Sequence, residues 1–157
     1  MKKSESIKNT DIAKHLSDVL AESRTLTGLI GIIFGFLLNV IFSGSVQNLI
    51  ELWLLETAII CSVLSLALFA MPVIYHHLQF PYSDKNKYIL RSHWFISVGF
   101  IPAIVMFYTS VTLALYKVFS VYAFLVSAFL FILIYIIYQN RYRVIKINRY
   151  RVIKIKR

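Results

Sequence analysis

The side chains that could carry ion or proton chemistry lie near the ends of long apolar runs. A carboxylate such as Glu56, inside an apolar run, could bind and release a proton or a cation if it lay within a membrane. The run around Glu56 is longer than a membrane core is thick, so we favour the alternative that this carboxylate lies at headgroup level. We expect Glu51 at the surface, and we hypothesise that Lys117 pairs with Glu56 or Glu51 on the outer face.

A second set of polar residues lies just before the first apolar run and just after the second run. If these runs are antiparallel helices, Glu22, Arg24 and His76 fall at one level and predict a polar cluster at the cytoplasmic boundary. We favour an ion-pair network that holds helix ends, and a pH-sensitive contact is the alternative, because a histidine beside a carboxylate titrates near neutrality. His76 and His77 are adjacent and point apart on a helix, which disfavours a haem or metal pair.

No catalytic motif is recognisable in the sequence. It lacks a glycine-rich phosphate loop, metal-ligand spacing and a nucleophile–histidine arrangement of credible geometry. The single Cys61 excludes an intramolecular disulfide, and its apolar surroundings indicate a small buried hydrophobe. We therefore expect no enzymatic activity, no cofactor and no metal.

The composition indicates that lipid surrounds most of the chain. Of the 157 residues 59% are hydrophobic and 15% are charged, whereas a soluble domain is roughly 45–50% apolar and about 25% charged. Four charge-free runs each hold the ~20 residues that cross a ~30 Å hydrocarbon core, where the backbone must be helical. The sequence therefore predicts an all-α integral membrane four-helix bundle, with its spans at 26–42, 52–75, 94–115 and 118–138 of a 26–138 transmembrane domain.

The connections and their charges predict the orientation. Ser43-Gly44-Ser45 and Tyr116-Lys117 are short turns, and residues 76–93 form a polar loop. Sixteen of the 17 Lys and Arg residues lie in the N-terminal segment, this middle loop and the C-terminal tail. Because positive residues stay inside, we expect both termini in the cytoplasm, in a multi-pass protein of the prokaryotic plasma membrane.

The N-terminal segment, residues 1–25, is not featureless. Apolar residues recur at helical spacing after Asp11, which predicts an amphipathic helix that lies on the inner leaflet or runs straight into the first span. The first apolar run begins only near Leu26, after a charged stretch, so we expect no cleaved secretory signal. Small residues permit close helix approach in lipid, and the candidates for such packing are Gly28, Gly31, Gly35, Gly99 and Ala103.

The tail, residues 139–157, contains an octad that is almost completely repeated. Its cations alternate with Tyr, Val and Ile, and beside a membrane they should bind anionic lipid headgroups at ~1 kcal/mol per charge. RNA is the alternative polyanion, but lipid is nearer, so we do not expect a nucleic-acid partner. The candidate lipid-binding residues are Arg141, Arg143, Lys146, Arg149, Arg151, Lys154, Lys156 and Arg157.

Three short motifs carry a resemblance to a known family. They are Glu22-Ser23-Arg24, then 34–38 (FGFLL), then 71–76 (MPVIYH), within a likeness that spans about 12–138. The chain resembles a family of small prokaryotic membrane proteins with four predicted transmembrane helices, which are sometimes labelled sodium/proton antiporters. The family often has Arg after the histidine, where this chain has His77. The resemblance implies the fold but no established activity.

We therefore predict a non-enzymatic structural, scaffold or accessory subunit that forms a homo-oligomer or joins a larger membrane assembly. The alternative is a small ion or solute transporter that acts as an oligomer. A redox or haem-binding subunit ranks third. A proton or sodium antiporter normally needs a carboxylate near mid-membrane, and the centres of the predicted spans carry none.

Overall fold

The structure, a computed structural model, describes the backbone of residues 2–79 and 85–155 and the side chains of 14–78 and 87–141. Every regular element in these ranges is helical. The elements are α1 (Lys2–Phe42), α2 (Leu49–Gln79), α3 (Lys85–Phe119), a 3₁₀ turn (Ser120–Tyr122) and α4 (Ala123–Ile155).

The predicted four-helix membrane bundle is wrong. Within the described residues, three helical segments are long and apolar enough to cross a membrane: Lys14–Phe42, Leu49–Leu78 and Lys87–Arg141. The third runs for 55 residues, because α3 does not end at the predicted turn of Tyr116-Lys117 and no non-helical linker separates it from α4. A lysine marks a polar position but does not end a helix, since lysine is a good helix former.

The chain divides into two compact units, Met1–Ser110 and Val111–Arg157. Within the second unit, the helical segment turns back on itself at the 3₁₀ turn. The hydroxyls of Thr112 and Ser127 lie 2.8 Å apart, although 15 residues of straight helix would separate them by about 22 Å. Ser120, at the turn, has a positive φ of 49°, a conformation that costs roughly 1–2 kcal/mol outside glycine. The buried hydroxyl pair therefore holds a reversal that the backbone alone disfavours.

In the first unit, α1 is one continuous helix of 41 residues. The N-terminal segment therefore runs straight into the apolar part of α1, and its side chains before residue 14 lie outside the described part. Gly44 has a φ of +62°, and its N–H bonds to the carbonyl of Ile41 at 3.1 Å. This left-handed glycine stops α1 at the expected turn, because glycine adopts the conformation without steric cost.

The helices after this turn extend beyond the predicted spans. α2 continues to Gln79 and α3 begins at Lys85, so most of the expected polar loop is helical, and residues 80–84 lie outside the described part. α4 continues to Ile155, so the described backbone of the basic tail is helical. Arg141 is exposed, whereas the other cationic side chains of the tail fall outside the described part.

Candidate functional site

The three residues of the predicted boundary cluster differ in solvent exposure. Glu22 and Arg24 are exposed, and His76 is half-buried. The imidazole of His76 lies edge-on to Tyr88, with ring centroids 6.5 Å apart, and 5.4 Å from the ring of His77. The polar cluster of Glu22, Arg24 and His76 stays a prediction.

Ser23, which lies between the exposed residues Glu22 and Arg24, has a different role. Ser23 is fully buried, and its hydroxyl donates a hydrogen bond to the backbone carbonyl of Phe69 in α2. The hydroxyl of Tyr88 in α3 likewise donates to a carbonyl of α2, that of Pro72. We use the name Pro72 junction for the set formed by Ser23, Phe69, Pro72, Tyr88 and Gly99. It joins α1, α2 and α3 through hydroxyls that reach the backbone of the middle helix.

Pro72 lies at the same level of α2 as these hydroxyls. Proline has no N–H, so the carbonyl of Leu68, four residues earlier, lacks its helical partner. The hydroxyls of Ser23 and Tyr88 bond to other carbonyls, those of Phe69 and Pro72. Hydrogen bonds between membrane helices contribute on average only ~0.6 kcal/mol each, so we expect these two hydrogen bonds to fix helix register more than overall stability.

The apolar part of the junction is the contact between Phe69 and Gly99. Phe69 is 0% exposed, and its ring lies edge-on to Phe100 with centroids 5.4 Å apart. A Cβ atom at Gly99 would lie 2.7 Å from Cε1 of Phe69 and 3.2 Å from Cβ of Leu68. The absence of a side chain at Gly99 therefore allows α3 to approach the aromatic ring of α2.

A cation and aromatic rings continue the same α2–α3 contact. The Nη1 atom of Arg91 donates a 2.7 Å hydrogen bond to the hydroxyl of Tyr75, and the guanidinium lies 5.8 Å from the centroid of that ring. The Tyr75 ring is in turn 6.4 Å from Tyr88. Because Arg91 is exposed, this pair can place a charge and an aromatic belt at a headgroup boundary.

The glycines predicted for packing fall into two groups. Gly99 contacts Phe69, and Ala103 is buried. In contrast, a Cβ built at Gly28, Gly31 or Gly35 has no atom within 4 Å beyond the adjacent backbone of α1 itself. Within the described residues, α1 therefore presents these three glycines to open space.

The two carboxylates of α2 differ from each other in exposure. Glu51, predicted at the surface, is only 5% exposed, and its Oε2 accepts a 2.9 Å hydrogen bond from the N–H of Gln47. Glu51 is the third residue of α2, where a carboxylate can bond back to an orphan N–H before the helix. Its position at the membrane surface stays a prediction. Glu56 and Lys117 are both exposed, and their pairing stays a prediction.

Sequence reasoning missed Ser23 and Tyr88, and only the first left a usable signal. Ser23, Ile30 and Leu37 recur at intervals of seven, and all three are buried. That spacing places Ser23 on the apolar face of α1, where a small hydroxyl permits close helix approach. Tyr88 lies in the stretch predicted as a loop, so its burial could not be foreseen.

Three helical segments apolar enough to cross a membrane, with buried hydroxyls between the helices, indicate a helical membrane protein. The chain belongs to DUF6328, a family of unknown function, whose model matches residues 5–140. Neither a curated protein nor a solved structure matches the chain. The sequence resemblance predicted a family without an established activity, and the family match confirms that part of the prediction.

Proposed function

We propose that this chain is a non-enzymatic membrane protein that self-associates through one face of α1, as a homo-oligomer or as a subunit of a larger membrane assembly. The glycine face consists of Gly28, Gly31, Gly35 and Asn39. The observation that carries the proposal is the open space above the three glycines, together with the exposed amide of Asn39 on the same helix.

Helix geometry places the glycine face away from the contact with α2. At about 100° per residue, Gly28 to Asn39 fall within an arc of about 80°. The buried residues Ser23, Ile30 and Leu37 lie on the other side of the helix. α1 can therefore pack on α2 with one side and meet another molecule with the other.

The chemistry of this face favours a second helix over lipid. Association in lipid depends on close packing, and small residues allow two backbones to approach each other. The side-chain amide of Asn39 offers two donors and an acceptor, so two copies related by a twofold axis can satisfy each other. Facing lipid tails, the same amide would lose its hydrogen bonds.

Leucines at Gly31 and Gly35 should weaken self-association of the full chain at least tenfold, equivalent to 1.4 kcal/mol. The added side chains hold neighbouring backbones apart, and their Cβ atoms meet no atom of another helix within 4 Å. Energy transfer between labelled copies in vesicles measures the dissociation constant.

The matched control for this double variant is Ala67→Leu, which enlarges an exposed small residue on α2 and should associate like the wild type. Wild-type association in the double variant would remove the glycine face as the interface.

We further propose that the protein resides in the plasma membrane of a prokaryotic cell, with both termini on the cytoplasmic side. Sixteen of the 17 Lys and Arg residues support this orientation, as the positive-inside rule requires. The reversal of the third helical segment, seen in the Thr112–Ser127 contact, is compatible with termini on one side. The cationic tail would then bind anionic headgroups of the inner leaflet.

Removal of residues 141–157 should lower the amount of anionic lipid that copurifies with the protein, because eight cations leave with them and each contributes roughly 1 kcal/mol near an anionic surface. Lipid mass spectrometry after extraction in a mild detergent measures this ratio, and an impermeant label reports the side on which Lys14 lies. Unchanged lipid content and unchanged orientation would rule out the lipid-binding role.

The alternative function is a small ion or solute transporter acting as an oligomer. Its support is Glu56, an exposed carboxylate in the apolar helix α2. Cation and proton flux in proteoliposomes, with Glu56→Gln as the control, separates this alternative from the first proposal. Flux that depends on Glu56 would favour the transporter, and its absence in a correctly folded preparation would favour a structural role.

A further inference from the structure

A cavity of about 510 Å³ lies beside the turn between α1 and α2. We infer that this α1–α2 cavity binds an amphiphilic organic cation, an alkylammonium group with an apolar chain, through the carboxylate of Glu56. The cavity volume falls within the roughly 300–1,000 Å³ of typical small-molecule sites. The apolar lining includes Ile41, Leu52, Leu55 and Ile59.

The two carboxylates near the cavity have different tasks. Glu51 is buried and bonds to the N–H of Gln47, so its charge serves the start of α2. Glu56 lines the cavity and is exposed, and within the described residues of the first unit it makes no hydrogen bond or ion pair. Glu56 is therefore the carboxylate available to a ligand.

Charge complementarity and apolar walls together select the ligand class. A divalent metal ion requires several oxygen ligands, and the described residues contain no group of three His, Cys, Asp or Glu that could hold one. An alkylammonium ion needs one opposite charge, and its chain covers apolar surface. Gln47 and Asn48 also line the cavity, and their side-chain amide oxygens can accept the remaining N–H bonds.

The position of the cavity suits an amphiphile that enters from the membrane. Glu56 lies seven residues into α2, about 10 Å along the helix. α2 has 31 residues, about 46 Å of helix, which exceeds a ~30 Å hydrocarbon core and leaves Glu56 near headgroup level. A cation at that depth keeps its charge at the interface while its chain follows Leu52, Leu55 and Ile59.

Equilibrium dialysis of radiolabelled dodecylammonium against the full chain in dodecyl maltoside micelles tests the inference, with protein-free micelles as background. We expect saturable binding to the wild type and at least tenfold weaker binding to Glu56→Gln. Glu22→Gln, which removes an exposed carboxylate of α1, should bind like the wild type. Ile59→Trp, which fills the cavity without changing charge, should also lose binding, and circular dichroism checks that each variant is folded.

Equal binding by the wild type and Glu56→Gln would overturn the inference, as would competition by neutral dodecanol as strong as that by unlabelled dodecylammonium. If added phosphatidylethanolamine displaces the probe, the natural ligand is a lipid amine headgroup; if it does not, the ligand is a free amphiphilic cation. Glu56→Gln leaves the glycine face intact, so self-association measured on the same variant tests the two proposals separately.

Discussion

We expect Phe69→Ala to lower the free energy of unfolding by about 3–5 kcal/mol, the usual cost of removing a fully buried phenylalanine. Phe69 is 0% exposed and lies edge-on to Phe100. Alanine would leave a cavity between α2 and α3 beside Gly99, and both helices contribute backbone there that cannot collapse freely. Unfolding by sodium dodecyl sulfate in mixed micelles, followed by far-ultraviolet circular dichroism, measures the change.

Phe129→Ala is the matched control for this experiment. Phe129 is 64% exposed, so its truncation should change the free energy of unfolding by no more than about 0.5 kcal/mol. If both variants lose the same amount, the aromatic ring of Phe69 does not form the centre of the α2–α3 contact.

The second large effect is expected for Gly99→Leu, which should destabilise the chain by about 3 kcal/mol, at the upper end of the usual cost of overpacking. Even the first added carbon would lie 2.7 Å from the Phe69 ring and 3.2 Å from Leu68. The ring cannot move aside easily, because it is fully buried and Phe100 lies against it. The same detergent titration measures the loss.

Two comparisons separate overpacking from a general effect of a larger residue in α3. Ser97→Leu adds bulk at an exposed position of the same helix and should be nearly neutral. In a Phe69→Ala background, Gly99→Leu should cost much less than in the wild type, because the leucine enters the space that the ring has left. Additive losses in the double variant would mean that Gly99 and Phe69 do not share one contact.

The sequence predicted the site only in part, and Ser23 shows why. Glu22 and Arg24 drew attention because they are charged, yet both are exposed, while the serine between them reaches the carbonyl of Phe69. A charge can be recognised in a sequence by type alone. The role of a hydroxyl depends on which backbone carbonyl lies opposite, and that requires the packing of α1 on α2.

The sequence by itself determined that the described chain is helical and apolar enough for a membrane, because backbone groups in lipid must bond within their own segment. It also located the turn after Phe42, since Gly44 supplies the left-handed residue that stops α1. Both features depend on local chemistry, which neighbouring residues are sufficient to specify.

Only the tertiary structure decided the number of helical segments, the burial of Glu51 and the partners of the glycines. Lys117 interrupts the apolar pattern but not the helical segment of 55 residues, so charge positions predicted four membrane-spanning segments where the described residues contain three. Gly99 and Gly35 are the same residue type, yet one meets Phe69 and the other meets open space. The surroundings of the two glycines differ because a side chain of another helix lies opposite only one of them. Residue spacing along a single helix cannot predict such a long-range contact.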